Sequence, residues 1–173
     1  LSLALSASLE EVRRLTSIFD KVLNWTRLEQ HIYQFEVLGL SDVVTEMVHR
    51  LEPFLRAKSV VLKLECDRDA LVKGDSYGLQ NMVQNLLENA VLHNDRDAKE
   101  VSVCIRCIED SVVMEITDNG PGIPISDRAH IFERFYRGKN GRRVPGTGLG
   151  LYLAKNIIEA HQGVISLVDG EGT

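Results

Sequence analysis

With 173 residues, 44% of them hydrophobic and 26% charged, the chain has ordinary globular composition and can bury the core of one domain plus an appendage. Its formal net charge of −5 counts against duplex nucleic acid as a partner, so an anionic ligand must be held by a local site. No apolar run reaches the roughly 18 residues of a membrane span, the N-terminus lacks the basic flank of a signal peptide, and three cysteines make no disulfide scaffold.

Residues 9–30 read as one long helix. Val12, Leu15, Ile18, Phe19, Val22, Leu23 and Trp25 recur at spacings of three and four. The apolar stripe is wide, as in a helix bundle. It either packs on the following domain or is half of something larger. "HIYQFEVLGLSD" then reads as strand and turn. Ser41 is a suitable N-cap for a helix carrying Val44, Met47, Val48, Leu51 and Leu55. Pro53 falls inside that pattern and predicts a kink or a split. "VVLKLEC" has the β-branched content and alternation of a strand.

A second helix is predicted from Ser76 to Leu92, burying Leu79, Val83, Leu86, Leu87 and Ala90. Two strands follow, 100–108 and 112–117, joined by "EDS". Cys104 and Cys107 form a CxxC in the first of them. Their odd spacing puts them on opposite faces, which argues against a shared metal. The five histidines show no ligand spacing either. After a Pro- and Gly-rich loop come a short helix around Arg128–Arg137 and a polar loop over 138–150. A helix from Leu151 to His161 and a strand over 164–168 complete the pattern. The expected fold is an α+β two-layer sandwich, with helices on one face of a mixed sheet.

Four stretches carry chemistry. In "NLLENA", Asn85 and Asn89 are i, i+4 and stand on one face beside an apolar stripe. They fit a solvated surface, or hard oxygen ligands for Mg²⁺ carrying phosphates. In "DNGPGIP", Asp118 sits at the end of an apolar strand. Gly120 and Gly122 allow close approach, and Pro121 and Pro124 stiffen the loop. A carboxylate there can accept from an exocyclic amine, although the same residue types also make ordinary turns. In "IFERFYRG", Phe132 and Phe135 are suited to anchoring a short helix, with Arg134 and Arg137 pointing elsewhere. In "GTGLGLYLAK", glycines at 146, 148 and 150 open into a helix, whose free N–H groups form an anion site. This is neither a dinucleotide fingerprint nor a P-loop.

Taken together, "NLLENAVLHN", "DNGPGIP", "IFERFYRG" and "GTGLGLYLAK" resemble, in order and spacing, the N, G1, F and G2 boxes of the sensor histidine kinase ATP-binding domain. That domain shares a superfamily with gyrase, mismatch-repair ATPases and the ninety-kilodalton heat-shock chaperones. The resemblance covers residues 34–173 and implies Mg-ATP binding. It further implies that Asp118, Gly120 and Gly122 hold adenine, and that Asn89, with Asn85 beside it, holds Mg²⁺ and phosphate. Gly146, Thr147, Gly148, Leu149 and Gly150 line the phosphates, and 138–150, with Lys139, Arg142 and Arg143, forms a lid. Asn85 and Glu88 are the candidate catalytic side chains, and Arg137 a further nucleotide contact. "RRLTSIFDKVLNWTRLEQ" resembles the second helix of the family's dimerisation bundle, so residues 1–33 are expected to be a partial bundle.

Three departures stand out. The family places Lys or Arg at Leu92, which cannot hold phosphate, so Arg137 or the lid bases are expected to compensate. None of His31, His49, His93, His130 or His161 has the phosphoacceptor context of the family's first helix. The chain stops at "DGEGT", where the family continues into a final strand, so the sheet is expected to be one strand short. The superfamily's hydrolases carry a water-activating glutamate at the position of Asn85, whose amide cannot act as a base. Glu88 projects about 100° from Asn89 on a helix. A protein-histidine kinase is therefore expected, with an anti-sigma-type serine kinase and a non-enzymatic nucleotide-binding module as alternatives. Implied partners are ATP, the missing histidine helix, a response regulator and a second copy through the bundle. The implied location is the cytoplasmic part of a membrane-anchored sensor.

Overall fold

The computed structural model describes residues 30–138 and 146–168, together with 9, 12, 16, 19, 23, 26 and 27. Those isolated N-terminal positions are all helical, as the spacing predicts. Leu9, Val12, Phe19 and Leu23 are exposed. No helix among the described residues is long and apolar enough to cross a membrane.

Strands β1 (Glu36–Gly39) and β3 (Leu71–Gly74) pair antiparallel. Strands β2 (Val60–Cys66), β4 (Lys99–Ile108) and β5 (Ser111–Asp118) form the main sheet. β4 lies in its centre, parallel to β2 and antiparallel to β5. The mixed sheet alternates in the expected way. Val101, Val103 and Ile105 of β4 are buried, while Ser102 and Arg106 face outward. Cys104 and Cys107 fall on opposite faces by the same parity.

Helices α1 (Leu40–Ala57), α2 (Ser76–Leu92) and α4 (Gly150–Ala160) cover the buried face. One core joins Val44 and Met47 of α1, Val83, Leu87 and Val91 of α2, Leu153 and Ile157 of α4, and the β4 valines. Helix α2 matches its predicted limits. Its N-cap, Asp75, accepts from the Gly78 N–H at 2.7 Å. The Asp75 carboxylate also takes His31 Nε2 and the Gln34 N–H, both at 2.9 Å. Burial on its own would raise its pKa, but these three donors together hold it below the ordinary value.

Five expectations need correction. Pro53 does not split α1 into two helices, because buried Leu51 and Leu55 anchor the turns on either side of it. Ser41 is not the N-cap. Gly39 holds that position without a side-chain bond, and the Ser41 hydroxyl donates to the Asp67 carbonyl at 2.6 Å. Strand β3 was not expected: it is short and shows little alternation. The helix expected over Arg128–Arg137 is instead α3 (Ile125–Arg128), with turns after it. Residues 164–168 form no ladder, although Ile165 packs on the core.

Because Ser41 fastens α1 to the turn after β2 and does not cap it, Ser41→Ala is expected to cost about 1 kcal/mol in urea unfolding. Far-UV circular dichroism should show undiminished helix content; a loss of helix would return Ser41 to a capping role.

Candidate active site

The site is built along one side of α2. Asn85, Asn89 and His93 follow one another at i, i+4 and i+8. They make a slowly drifting stripe about 12 Å long at 1.5 Å per residue. Asn85 donates its Nδ2 to the Asn81 carbonyl at 2.8 Å, which turns its Oδ1 outward. That oxygen faces the first residue of α4. A methyl group built on Gly150 would lie 3.4 Å from Asn85 Oδ1 and 3.8 Å from both amide atoms of Asn89. The two asparagines therefore stand beside the start of α4, where the first N–H groups of a helix are unpaired within it. Glu88 lies to the side, accepting from Gln84 Nε2 at 2.8 Å.

The glycine-rich turn is shaped by its neighbours. Gly148 has φ +72°, and a side chain there would meet the Tyr136 carbonyl at 2.6 Å. The backbone at 135–136 and the loop entering α4 are thus in close contact. Thr147 Oγ1 accepts from the Leu149 N–H at 3.3 Å, and buried Leu149 caps α4. Among the described residues, nothing lies within 4 Å of a methyl group built on Gly146. Phe132 is half-buried, but Phe135 is 55% exposed, with φ +62° and the Arg134 guanidinium 4.9 Å from its ring centroid. Phe135 is therefore no helix anchor, and its backbone contact with Gly148 is the structural feature. Lys139, Arg142 and Arg143 lie outside the described residues.

The other end of the stripe carries charge. Asp118 closes β5 opposite Val101. Its Oδ1 accepts from the Gly120 N–H at 2.8 Å. Gly120 is buried, and Gly122 has φ +70°, a conformation that favours glycine. Burial raises the Asp118 pKa, against the pull of the Gly120 N–H and His93. His93 has an exposed face, yet surrounding atoms desolvate its ring. That desolvation and the nearby Arg137 charge hold its pKa below 6.5, with Asp118 opposing. Asp118, His93 and Arg137 are therefore within electrostatic reach, and the surroundings favour the neutral His93 ring. Leu92 is half-buried beside them.

Sequence reasoning missed His93 and Asn94. The helical period starting at Asn85 pointed to His93, but nothing local marked Asn94. Among the described residues no three His, Cys, Asp or Glu side chains could hold a metal ion. The outward Asn85 Oδ1 and the neighbouring Asn89 amide are hard oxygen donors. They fit an ion that keeps water or phosphate as its other ligands. The arrangement suits an elongated ligand with an anionic end at Gly150 and a hydrogen-bond donor at Asp118.

A family model described as histidine kinase-, DNA gyrase B-, and HSP90-like ATPase matches residues 74–173. The alginate biosynthesis sensor protein KinB of Pseudomonas aeruginosa is 34% identical over 161 residues, covering 91% of this chain. The chain spans only 27% of that relative's length. A solved mycobacterial sensor histidine kinase, MprB, is 31% identical with a TM-score of 0.65, over 75% of this chain and 81% of that one. The histidine kinase ThkA, solved in complex with the response regulator protein TrrA, shares the fold at 22% identity. Its TM-score is 0.70, over 90% of this chain and 43% of that one.

Folding raises the Asp118 pKa above its ordinary 3.8, so the ionised form is disfavoured in the empty protein. This cost is absent below the ordinary value and complete above the raised one. Asp118→Asn is therefore expected to raise the Tm of the ligand-free chain at pH 7. Below the ordinary carboxylate range, calorimetry should find the two proteins alike.

Proposed function

This chain belongs to the histidine kinase-, DNA gyrase B-, and HSP90-like ATPase family, among its sensor histidine kinases, and we propose that it binds Mg-ATP and transfers the γ-phosphoryl group to a histidine. The nearness of Gly150 to the Asn85 and Asn89 amides carries this reading, because it sets two hard oxygen donors beside an anion-binding helix start. Asp118 accepts from the adenine amine, and Gly120 and Gly122 let the base approach. Gly146, Thr147, Gly148, Leu149 and Gly150 line the phosphates. Arg137 stands in for the base that Leu92 cannot provide. Asn89 is the principal Mg²⁺ ligand, with Asn85 beside it. Bound Mg²⁺ would neutralise phosphate charge.

The transfer breaks the bond from the γ-phosphorus to its bridging oxygen and forms a bond to a neutral imidazole nitrogen. Such catalysis is mainly positioning and charge neutralisation. The imidazole must also release its proton. Asn85 cannot accept it; we assign that role to Glu88, which lies off the asparagine stripe and would have to exchange its bond from Gln84 for the imidazole of an acceptor approaching from the side. Replacing the hydrolases' water-activating acid by Asn85 also favours transfer over hydrolysis.

The acceptor histidine lies on a helix outside this sequence. The phosphoryl group then passes to an aspartate of a response regulator, the class of partner with which ThkA was solved. Residues 1–33 belong to a bundle that pairs two copies, and 34–173 form the catalytic domain. The intact protein is a membrane-anchored sensor with this region in the cytoplasm, and nucleic acid plays no part.

Calorimetry with Mg²⁺ and with EDTA tests the metal assignment. Asn89→Ala is expected to weaken ATP by at least about tenfold with Mg²⁺, a loss that changing only the groups bonded to a metal's ligands can reach, and far less with EDTA. Equal shifts would make Asn89 structural. Labelled ATP mixed with this chain and a protein carrying the histidine helix should label that protein alone. Stable phosphohistidine on this chain would move the acceptor.

A further inference from the structure

We propose that Asn94 and Asn119 form an amide clamp that positions Asp118 and thereby sets the preference for adenine over guanine. The proposal rests on the nucleotide-binding function above and assigns the clamp a part in selectivity. Asn94 is 1% exposed, so its amide must find partners within the protein. Its Nδ2 donates to Asn119 Oδ1 at 2.7 Å, and its Oδ1 accepts from the Arg96 N–H at 3.0 Å.

Asn119 answers with all of its polar atoms. Its Oδ1 also accepts from the Glu100 N–H at 2.9 Å, and its Nδ2 donates to the Ala98 carbonyl at 2.9 Å. Its N–H donates to the Glu100 carbonyl at 3.2 Å, and its carbonyl accepts from Arg96 Nε at 3.2 Å. Every partner lies within residues 94–100. Lys99 ties that segment to the end of α2, donating to the Val91 carbonyl at 3.3 Å and the Asn94 carbonyl at 2.5 Å. A cation at a helix C-terminus is favoured by the exposed carbonyls there.

The clamp reaches Asp118 through the backbone. Asn119 separates Asp118 from Gly120 and is pinned on both its main-chain and side-chain atoms. A methyl group built on Gly120 would lie 3.2 Å from Asn94 Cα and 2.5 Å from Asp118 Oδ1. Gly120 is therefore fitted between the clamp and the acid. With Asp118 Oδ1 occupied by the Gly120 N–H, Oδ2 is left for a ligand. An adenine amine at that oxygen is a donor, whereas the guanine carbonyl there would set acceptor against acceptor. A rigid acceptor enforces this difference, because the wrong group leaves a half-buried charge unmatched. A loosened acceptor can turn away or take a water, and the discrimination shrinks.

ATP, ADP and GTP titrated into the full chain and into Asn94→Ala and Asn119→Ala test the clamp. The expected result is a loss of about tenfold for ATP and ADP alike, a smaller loss for GTP, and an unchanged effect of Mg²⁺. Asn94→Ser, which keeps a hydroxyl, should recover part of the ATP preference. A folded variant that keeps the ATP-to-GTP ratio of the unmodified chain overturns the clamp. If the alanine variants do not fold, hydrogen exchange on the unmodified chain decides. Amides 119 and 120 should be protected without nucleotide, and rapid exchange there overturns the proposal. Failure of the unmodified chain to bind any nucleotide overturns the parent function and the clamp with it. ATP binding with unaltered preference in the variants overturns the clamp alone.

Discussion

Helix α2 has to be dry along one stripe and open along another, and the rest of the structure follows from that constraint. Leu79, Val83, Leu87 and Val91 are buried beneath the helix. Asn85, Asn89 and His93 run along a neighbouring face, where burial is only partial. Burying four large aliphatic side chains supplies several kcal/mol, at roughly 1.5–3 kcal/mol each. That anchoring fixes the rotation of the helix and thereby aims the polar stripe. The ends are fixed separately. Asp75 caps the first turn and gathers His31 and Gln34. Lys99 and Asn94 close the last turn. A helix held at both ends and along one side presents its amides with little freedom.

The electrostatics divide the site into two unlike halves. Near Gly150 the groups are neutral: two amides and a helix start. Near Asp118 they are ionisable, and burial disfavours charge on both the acid and His93. A carboxylate kept ionised against desolvation has unsatisfied demand for a donor. This is the condition under which a ligand's amine contributes most. The chain's overall charge of −5 does not attract an anionic ligand. Attraction has to come from groups placed at the site itself, Arg137 and the α4 N-terminus among them.

Much of this was legible in advance because it is local. The i, i+4 placement of Asn85 and Asn89 needs only the helical period. The strand ending at Asp118 and the glycines opening α4 are equally local, and the motif order pointed to one ligand. The errors were local inferences overruled by distant contacts. Ser41 has the chemistry of a cap, but the Asp67 carbonyl competes for its hydroxyl. Pro53 removes one helical bond, yet core contacts on both sides hold the helix together. Phe135 looked like an anchor, but its positive φ turns the chain toward Gly148.

The sequence by itself determined the longer helices, the central strands, the polar stripe on α2 and the residue types a nucleotide site requires. These depend on periods of two and 3.6 residues, which any segment displays without its neighbours. Only the tertiary structure decided which residues come together across long loops: Asn94 bonded to Asn119, His93 within electrostatic reach of Asp118 and Arg137, and Gly148 against the backbone at 135–136. Such meetings depend on sheet register and helix packing. A slip of one residue in β5 against β4 would turn Asp118 to the other face. The partners of a buried amide are therefore a property of the fold, and no local pattern around Asn94 could announce them.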